Sequence, residues 1–341
     1  MAANISRCYW RFCGCIIRVG RVVPVLIVLG IISFSYYVYC FQTIPALAEN
    51  WPLRTLLYVS FHILLFLFLA SYFATIFTEV PKIPDRYYVP EDVFRDFVAE
   101  KTDRGRNAIL YRYMSQNNIV VQNVSGNEGP RFCGQCKCIK PDRSHHCSLC
   151  STCVLRYDHH CPWVNNCIHQ QNYKFFLLFL FYGLVLCVFA LATSLPNFII
   201  FWDGHRIAQE IITKFSMVFL PFIAFLFGLS ISCLLFYHIY LVCRNRTTIE
   251  QWLPPTFETG PDPNAYNLGC ARNFKQIFGN NPLYYAFPIA TVSSNTGLDF
   301  PMRRKSCNEN AFINPAMNDG NRIHYTAAQD TVAMNGAAVM A

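Results

Sequence analysis

Four uninterrupted apolar runs constrain this chain more than any other feature. Val22 to Phe41, Thr55 to Phe77, Phe175 to Trp202 and Phe215 to Cys243 contain no Lys, Arg, Asp or Glu. Each reaches the roughly twenty residues an α-helix needs to cross a hydrocarbon core of about 30 Å. A helix is the natural solution there, because it pairs its own backbone donors and acceptors where no water is present. Buried helices of a large soluble core do not need four uncharged runs of this length. Charged residues make up 14% of the chain, against about 25% in ordinary globular domains. The runs predict an integral membrane α-helical protein.

The N-terminal segment 1–21 carries Arg7, Arg11, Arg18 and Arg21, and Ala46-Leu47-Ala48 follows the first run. That arrangement imitates a secretory signal, but the apolar run exceeds the 7–15 residues of a signal core, so it reads as an uncleaved span. The long segment from Thr78 to Tyr173 is rich in Lys and Arg, from Lys82 through Arg156. The loop Gln42 to Trp51 has none, with Arg54 at its edge, and Asp203 to Lys214 has only Arg206 and Lys214. The excess of cations marks the cytoplasmic side, which places both termini and the long segment in the cytosol. The sequons at Asn4, Asn123 and Asn245 then lie away from the glycosylation machinery and are expected to be unmodified. A net charge of +8 suits an anionic leaflet or anionic small molecule. With no basic helix or basic-aromatic stripe, it does not suggest nucleic acid.

Within the cytosolic segment one spacing occurs twice, offset by fourteen residues: Cys-x2-Cys-x9-His-x6-Cys. The first copy is Cys133, Cys136, His146, Cys153; the interleaved second is Cys147, Cys150, His160, Cys167. Cytosol is reducing, so clustered cysteines there are candidates for metal rather than for disulfides. Three thiolates and one imidazole form a closed tetrahedral set for a structural zinc, and two such sets consume eight side chains. A third copy would start at Cys161, but Val164 occupies its second ligand position. Cys161 is therefore left over, with His159 and Asp158 just upstream. A nearby cation favours the thiolate, His159 is placed to take the proton, and Asp158 to orient the imidazole.

Asp158-His159-His160-Cys161 lies in a longer pattern: Lys140-Pro141-x-Arg143, His146-Cys147, Cys150, Cys153, Cys161-Pro162-Trp163, Asn165-Asn166-Cys167 and Asn172-x3-Phe176. It resembles the DHHC-type protein S-acyltransferases, the palmitoyltransferases. Thr247-Thr248-x-Glu250 looks like that family's Thr-Thr-x-Glu motif, and Asn273 looks like the asparagine of its C-terminal motif. The resemblance runs from about Arg18 to Pro288. It implies a two-step transfer in which Cys161 takes the acyl group of a long-chain acyl-CoA and passes it to a cysteine of a membrane-associated protein. It also implies an acyl cavity among the spans, His159 as base, Asp158 as its orienter and Thr248 as a partner of Asp158. Lys140, Arg143 and Lys174 are candidate contacts for the CoA phosphates. Where the family usually has glycine this chain has His169, a departure that bears on local turn geometry; with both ligand sets full, His169 is assigned no metal. Cys138 is assigned as structural filler.

The expected organisation is thus a cytosolic N-terminus (1–21), spans at 22–41 and 55–77, a cytosolic linker and helix (78–130), a cysteine-rich domain with two zinc ions (131–173), spans at 175–202 and 215–243, a cytosolic C-terminal region (244–301) and a disordered tail (302–341). Val89 to Met114 reads as helical, Asn117 to Pro130 as a linker, and 244–301 as folding back on the metal region. The metal region has too few aliphatic residues to fold unaided, so metal supplies its folding free energy. Phe34, Tyr36, Phe176 and Phe179 are candidate cavity residues, with Ser35 and Leu186 as limits on chain length. His62 and His238 are read as satisfied imidazoles inside spans, and Cys8, Cys13 and Cys15 as juxtamembrane thiols open to acylation. The competing readings are a membrane-anchored RING-like recruitment module and a redox sensor. A RING spacing differs from the one found here, and neither reading uses the ninth cysteine together with its Asp and His.

Overall fold

A computed structural model describes residues 2–126, 128–202, 211–290, 297–303 and 312–313. Side chains are described from Gly20 onward, apart from short stretches at the ends of the third and fourth long helices. The side chains of Cys8, Cys13 and Cys15, the loop residue Arg206 and most of the 302–341 tail lie outside the described residues. The chain divides into two compact units, which meet in sequence between His159 and His160.

The helical unit comprises Met1–Glu79, His160–Tyr240 and Ile277–Thr291. The helices that cross it are α1 (Ala2–Val38), continued through a π-helical turn at Tyr39–Thr43 into α2 (Ile44–Leu47), then α3 (Trp51–Phe77), α6 (Tyr173–Trp202) and α7 (Ile211–Arg244), whose last turn belongs to the second unit. Their membrane-competent portions are Gly20–Leu47, Trp51–Phe77, Tyr173–Pro196 and Val218–Arg244. At about 1.5 Å per residue each exceeds the ~30 Å core. The protein is a multi-pass membrane protein. Helices α3, α6 and α7 begin a few residues before the apolar runs do. At α3 the cause is visible, since Asn50 accepts from the Leu53 N–H at 3.0 Å and Pro52 sits in the first turn, capping groups the helix cannot pair itself. Val38, Ile44, Phe61, Ala190 and Leu220 form a shared interior, while Phe66 and Phe236 are 69% and 64% exposed, as lipid-facing residues should be.

The cysteine-rich unit comprises Val80–His159, Leu241–Gln276 and Val292–Ala341. Its predicted single helix is two: α4 (Glu91–Ala99) and α5 (Asp103–Gln116). Glu100 follows the last residue of one and Thr102 caps the start of the other: the Thr102 hydroxyl accepts from the Gly105 N–H at 3.1 Å while the Glu100 carboxylate accepts from the Thr102 N–H at 2.8 Å. Part of the segment read as a linker is packed structure. Ile119 and Val121 are buried with Leu110, Met114, Ile139 and Leu155, and the Asp142 carboxylate accepts from the N–H groups of Gln122 and Asn123. Flanking segments thus supply the aliphatic residues that the metal region itself lacks. Of the C-terminal region, α8 (Thr248–Trp252) and α9 (Cys270–Phe278) as far as Gln276 fall in this unit, while Ile277–Thr291 belongs to the helical one.

The fourteen-residue sequence period becomes a series of short antiparallel hairpins: β1 (Phe132–Cys133) with β2 (Cys138–Ile139), β3 (His145–Cys147) with β4 (Thr152–Val154), and β5 (His159–Cys161) with β6 (Asn166–Ile168). Lys137, Ser151 and Asn165 take the same place in the three turns, with φ of 52°, 54° and 46°. The third hairpin keeps the turn but lacks the second cysteine.

Candidate active site and metal centres

The first donor set lies wholly in the cysteine-rich unit. Nδ1 of His146 is 3.6 Å from Cys133 Sγ, 3.2 Å from Cys136 Sγ and 3.9 Å from Cys153 Sγ. Zinc–sulfur and zinc–nitrogen bonds of about 2.3 and 2.0 Å in a tetrahedron put N and S roughly 3.5 Å apart, so these four atoms fit one ion. β1, β3 and β4 carry three of the donors and the first turn carries Cys136. Cys138 is fully buried opposite Cys133 in the β1–β2 register and stands outside the donor set. In the helical unit, Cys167 Sγ lies 3.6 Å from His160 Nδ1, the separation two ligands of one ion require.

Asp158 and His159 form a second kind of centre. Asp158 is 3% exposed. Its Oδ2 accepts from His159 Nδ1 at 2.6 Å and from the Thr248 hydroxyl at 2.7 Å, and Oδ1 accepts from the Thr248 N–H at 2.9 Å. Asp158 thus fixes the Nδ1 side of the His159 ring. Thr248 is delivered by α8, whose N-terminus is built as a capping box. Thr247 accepts from the Glu250 N–H at 3.2 Å, and the Glu250 carboxylate accepts from the Thr247 N–H at 2.9 Å.

Glu250 is itself held by Arg143. Nε and Nη2 donate to its two oxygens at 2.8 and 2.7 Å, and the guanidinium also bonds Asn245 and lies 4.4 Å from the Tyr266 ring and 4.9 Å from the Phe300 ring. Both charges are buried. Burial alone would raise the Glu250 carboxyl, but the Arg143 charge and its hydrogen bonds, with the Thr247 N–H, hold it below its ordinary value. Arg143 therefore braces α8 and has no face for a CoA phosphate, which corrects the expectation drawn from sequence. Lys174 is corrected likewise: it is 3% exposed and its ammonium donates to the carbonyls of Tyr284 and Ile289 at 2.7 and 3.0 Å. Lys140 remains partly exposed.

Cys161, 6% exposed, lines a cavity of about 260 Å³ in the helical unit, with walls from α1, α3, α6 and α7. Trp163 and Phe176 share the lining with it, as do Ser35, Tyr36, Phe179 and Leu186. Phe34 is instead 40% exposed and is absent from the lining, one residue out of phase with Ser35. The thiol's loop is fixed by three polar clamps whose role the sequence reading did not assign. Asn166 Nδ2 donates to the carbonyls of Thr75, Ile76 and Thr78 at the end of α3, Asn172 Nδ2 donates to the Cys167 carbonyl at 2.8 Å, and the Tyr72 hydroxyl donates to the Trp163 carbonyl at 2.8 Å. Their signal was the Asn-rich pattern itself, since a side-chain amide is the residue for capping helix-end carbonyls.

His169 does not take a positive φ, so it needs none of glycine's freedom. Burial pushes its imidazole down to about 4, and its Nδ1 accepts from the Gln171 N–H, a structural role. His238 is buried against the Tyr173 hydroxyl at 2.9 Å, and His62 bonds the Tyr58 carbonyl and the Tyr36 hydroxyl.

Among the described residues, four helices long and apolar enough to cross a membrane, Cys/His groups that could hold metal ions and a carboxylate–imidazole pair fit an integral membrane enzyme with a cysteine-rich domain. A family model for DHHC palmitoyltransferases matches residues 126–254. Palmitoyltransferase ZDHHC20 of Homo sapiens is 40% identical over 299 residues, covering 86% of this chain and 80% of the relative. Palmitoyltransferase ZDHHC2 of Danio rerio is 39% identical over 286 residues, covering 83% and 77%, and palmitoyltransferase ZDHHC15 of Rattus norvegicus is 36% identical over 307 residues, covering 88% and 87%. The chain belongs to the DHHC palmitoyltransferase family. It is a protein S-palmitoyltransferase, which displaces the RING-like and redox-sensor readings.

Proposed function

We propose that Cys161 is the nucleophile and acyl carrier of this enzyme, His159 its base and acid, and Asp158 the group that orients His159. The observation that carries the reading is the placement of Cys161 on an apolar cavity among the four spans, two residues after an imidazole whose Nδ1 is fixed by a carboxylate. Alternate residues of a strand point to the same face, and β5 holds both His159 and Cys161. In the first step Cys161 Sγ bonds the carbonyl carbon of palmitoyl-CoA and the carbon–sulfur bond to CoA breaks. The thiol proton passes to His159 Nε2 and then to the departing CoA sulfur. In the second step the thiol of a membrane-associated protein substrate attacks the Cys161 thioester, and its proton returns to Cys161 by way of His159.

The cavity supports an acyl chain because its lining residues run along α6 from Phe176 to Ala190, about 21 Å at 1.5 Å per residue. Ser35 and Leu186, both in the lining, are proposed to limit chain length. Cys133, Cys136, His146 and Cys153 would hold one zinc, and Cys147, Cys150, His160 and Cys167, by the same spacing, a second. Ions held there would supply folding free energy, and a nearby positive charge would favour the thiolate. Lys140 is kept as a contact for CoA phosphates. The distribution of Lys and Arg supports a cytosolic active site.

The test is incubation of the purified protein with labelled palmitoyl-CoA. The expected result is a hydroxylamine-sensitive label that disappears in Cys161→Ser while two zinc ions remain bound. A label that survives the substitution places the nucleophile elsewhere, and loss of one zinc in that variant overturns the ligand assignment.

A further inference from the structure

The strongest chemistry outside the acyl-transfer site is a pair of thiols in the cysteine-rich unit. Cys243, in the last turn of α7, has its Sγ 2.6 Å from the Sγ of Cys270. Cys270 is the first residue of α9, a nine-residue helix, and is exposed; Cys243 is partly buried. The approach is fixed by backbone contacts: Asn273 Nδ2 donates to the Cys243 carbonyl at 2.8 Å, and the Asn273 N–H donates to the Gly269 carbonyl at 2.9 Å, in front of which Gly269 has φ of 93°. Neither cysteine belongs to either zinc spacing. The division of labour matches a redox dithiol: an accessible sulfur at the first residue of a helix and a sheltered second sulfur in contact with it.

We propose that Cys243 and Cys270 are a peroxide-oxidisable dithiol that closes to a disulfide. The Cys270 sulfur attacks one oxygen of hydrogen peroxide, the O–O bond breaks and one water leaves, giving a sulfenic acid. The Cys243 sulfur then displaces the hydroxyl from Cys270, the S–O bond breaks and a second water leaves. Two thiols and one peroxide become one disulfide and two waters, the two electrons passing from sulfur to oxygen, and a dithiol reductant reverses the change. In the cytosolic orientation the resting pair is reduced, the setting in which disulfides are transient and redox-sensing. The bridge would staple a loop that contains Asn245, Thr247, Thr248 and Glu250, the residues that hold Arg143 and Asp158.

The experiment uses the full-length, zinc-loaded protein in lipid nanodiscs, treated with hydrogen peroxide, blocked with N-ethylmaleimide, digested without reduction and read by mass spectrometry, with zinc release followed in parallel. The expected result is a cross-linked peptide joining Cys243 and Cys270 that forms before zinc is lost, disappears with dithiothreitol and is absent from Cys243→Ser. In Cys243→Ser, Cys270 should instead accumulate as sulfenic acid, trapped by dimedone. Hydrogen exchange of residues 244–269 should slow on oxidation of the wild-type protein and not of the variant. Maleimide on both sulfurs after peroxide, or oxidation of the zinc ligands before this pair, overturns the proposal.

Discussion

The sequence His-His-Cys occurs twice, at His145–Cys147 and His159–Cys161, each as a three-residue strand with the same sequence of burial. The first histidine of each copy has a different neighbour. Ser144 precedes His145, and its hydroxyl turns to the Pro141 carbonyl, while the Arg131 guanidinium stands 3.4 Å from His145 Nε2. Burial first, then the Arg131 charge, pushes His145 down to about 3. Asp158 precedes His159 and binds its Nδ1. The third residue diverges too: Cys147 has Cys150 three positions on, and Cys161 has Val164. Identical tripeptides on identical hairpins thus become a structural unit in one case and a candidate nucleophile with its base in the other. The residues before and after them decide the outcome.

The sharpest way to break this comparison is to remove each cysteine. Cys161→Ser should abolish the acyl-enzyme and leave the zinc content and melting temperature close to wild type. Cys147→Ser should lose a zinc ion and unfold the cysteine-rich unit, because structural zinc carries folding free energy of about 10 kcal/mol or more. If the two variants lost metal equally, the hairpins would not differ as described.

The histidines come next. His159→Ala should keep both zinc ions and acylate roughly 10² to 10⁴ times more slowly, the usual worth of positioned proton transfer. His146→Ala and His160→Ala should lose metal, and His145→Ala should do neither, leaving single-turnover acylation near wild type. A slow His145→Ala with intact zinc would show that the first copy has a share in the chemistry.

The residue before Ser144 sharpens the structural side. Arg143 and Glu250 are an ion pair with side-chain exposures of 0% and 5%. Arg143→Met should cost about 3–5 kcal/mol, because it strands a buried charge, and Arg143→Met combined with Glu250→Met should recover much of that loss. The sign with pH follows from Glu250, whose folded carboxyl sits below its ordinary value of 4.5. Its contribution is fully present above that value and is lost as pH falls through the lower folded value. Urea titrations of both variants between neutral pH and pH 3 test it: the double variant should show a shallower acid decline.

The parts of this protein that could be read from sequence are those whose physics is local. An apolar run is long enough to span or it is not, and ligand spacing along the hairpins repeats because the turn itself repeats, down to Asn165 in a hairpin that has lost its second ligand position. Arg143 was misread because its partner is 107 residues away, and an isolated cation near a basic motif looks like a phosphate contact. Lys174 was misread for the same reason, since the carbonyls it serves belong to residues 284 and 289. Phe34 was a failure of phase: successive helical residues are turned about 100° from one another, so Ser35 and Tyr36 reach the cavity while Phe34 does not, and composition does not say which one turns inward.

The smallest expected effect concerns Thr248, which reaches Asp158 from a separate stretch of chain 90 residues on. Thr248→Val removes the hydroxyl donor and keeps both the shape and the backbone N–H that bonds Oδ1. A hydrogen bond to a charged group is worth about 1.5–3 kcal/mol, and the surviving bonds from Thr248 N–H and His159 limit the damage, so the acylation rate should fall about tenfold, near 1.4 kcal/mol of barrier. If the hydroxyl acts by holding Asp158 against His159, the loss should appear in the rate of acyl-enzyme formation with zinc unchanged, the pH–rate midpoint should move, and Thr248→Ser should restore both. Equal rates for Thr248→Val and wild type would leave Asp158 positioned by the backbone alone, and the second His-His-Cys copy would then owe its function to a single neighbour.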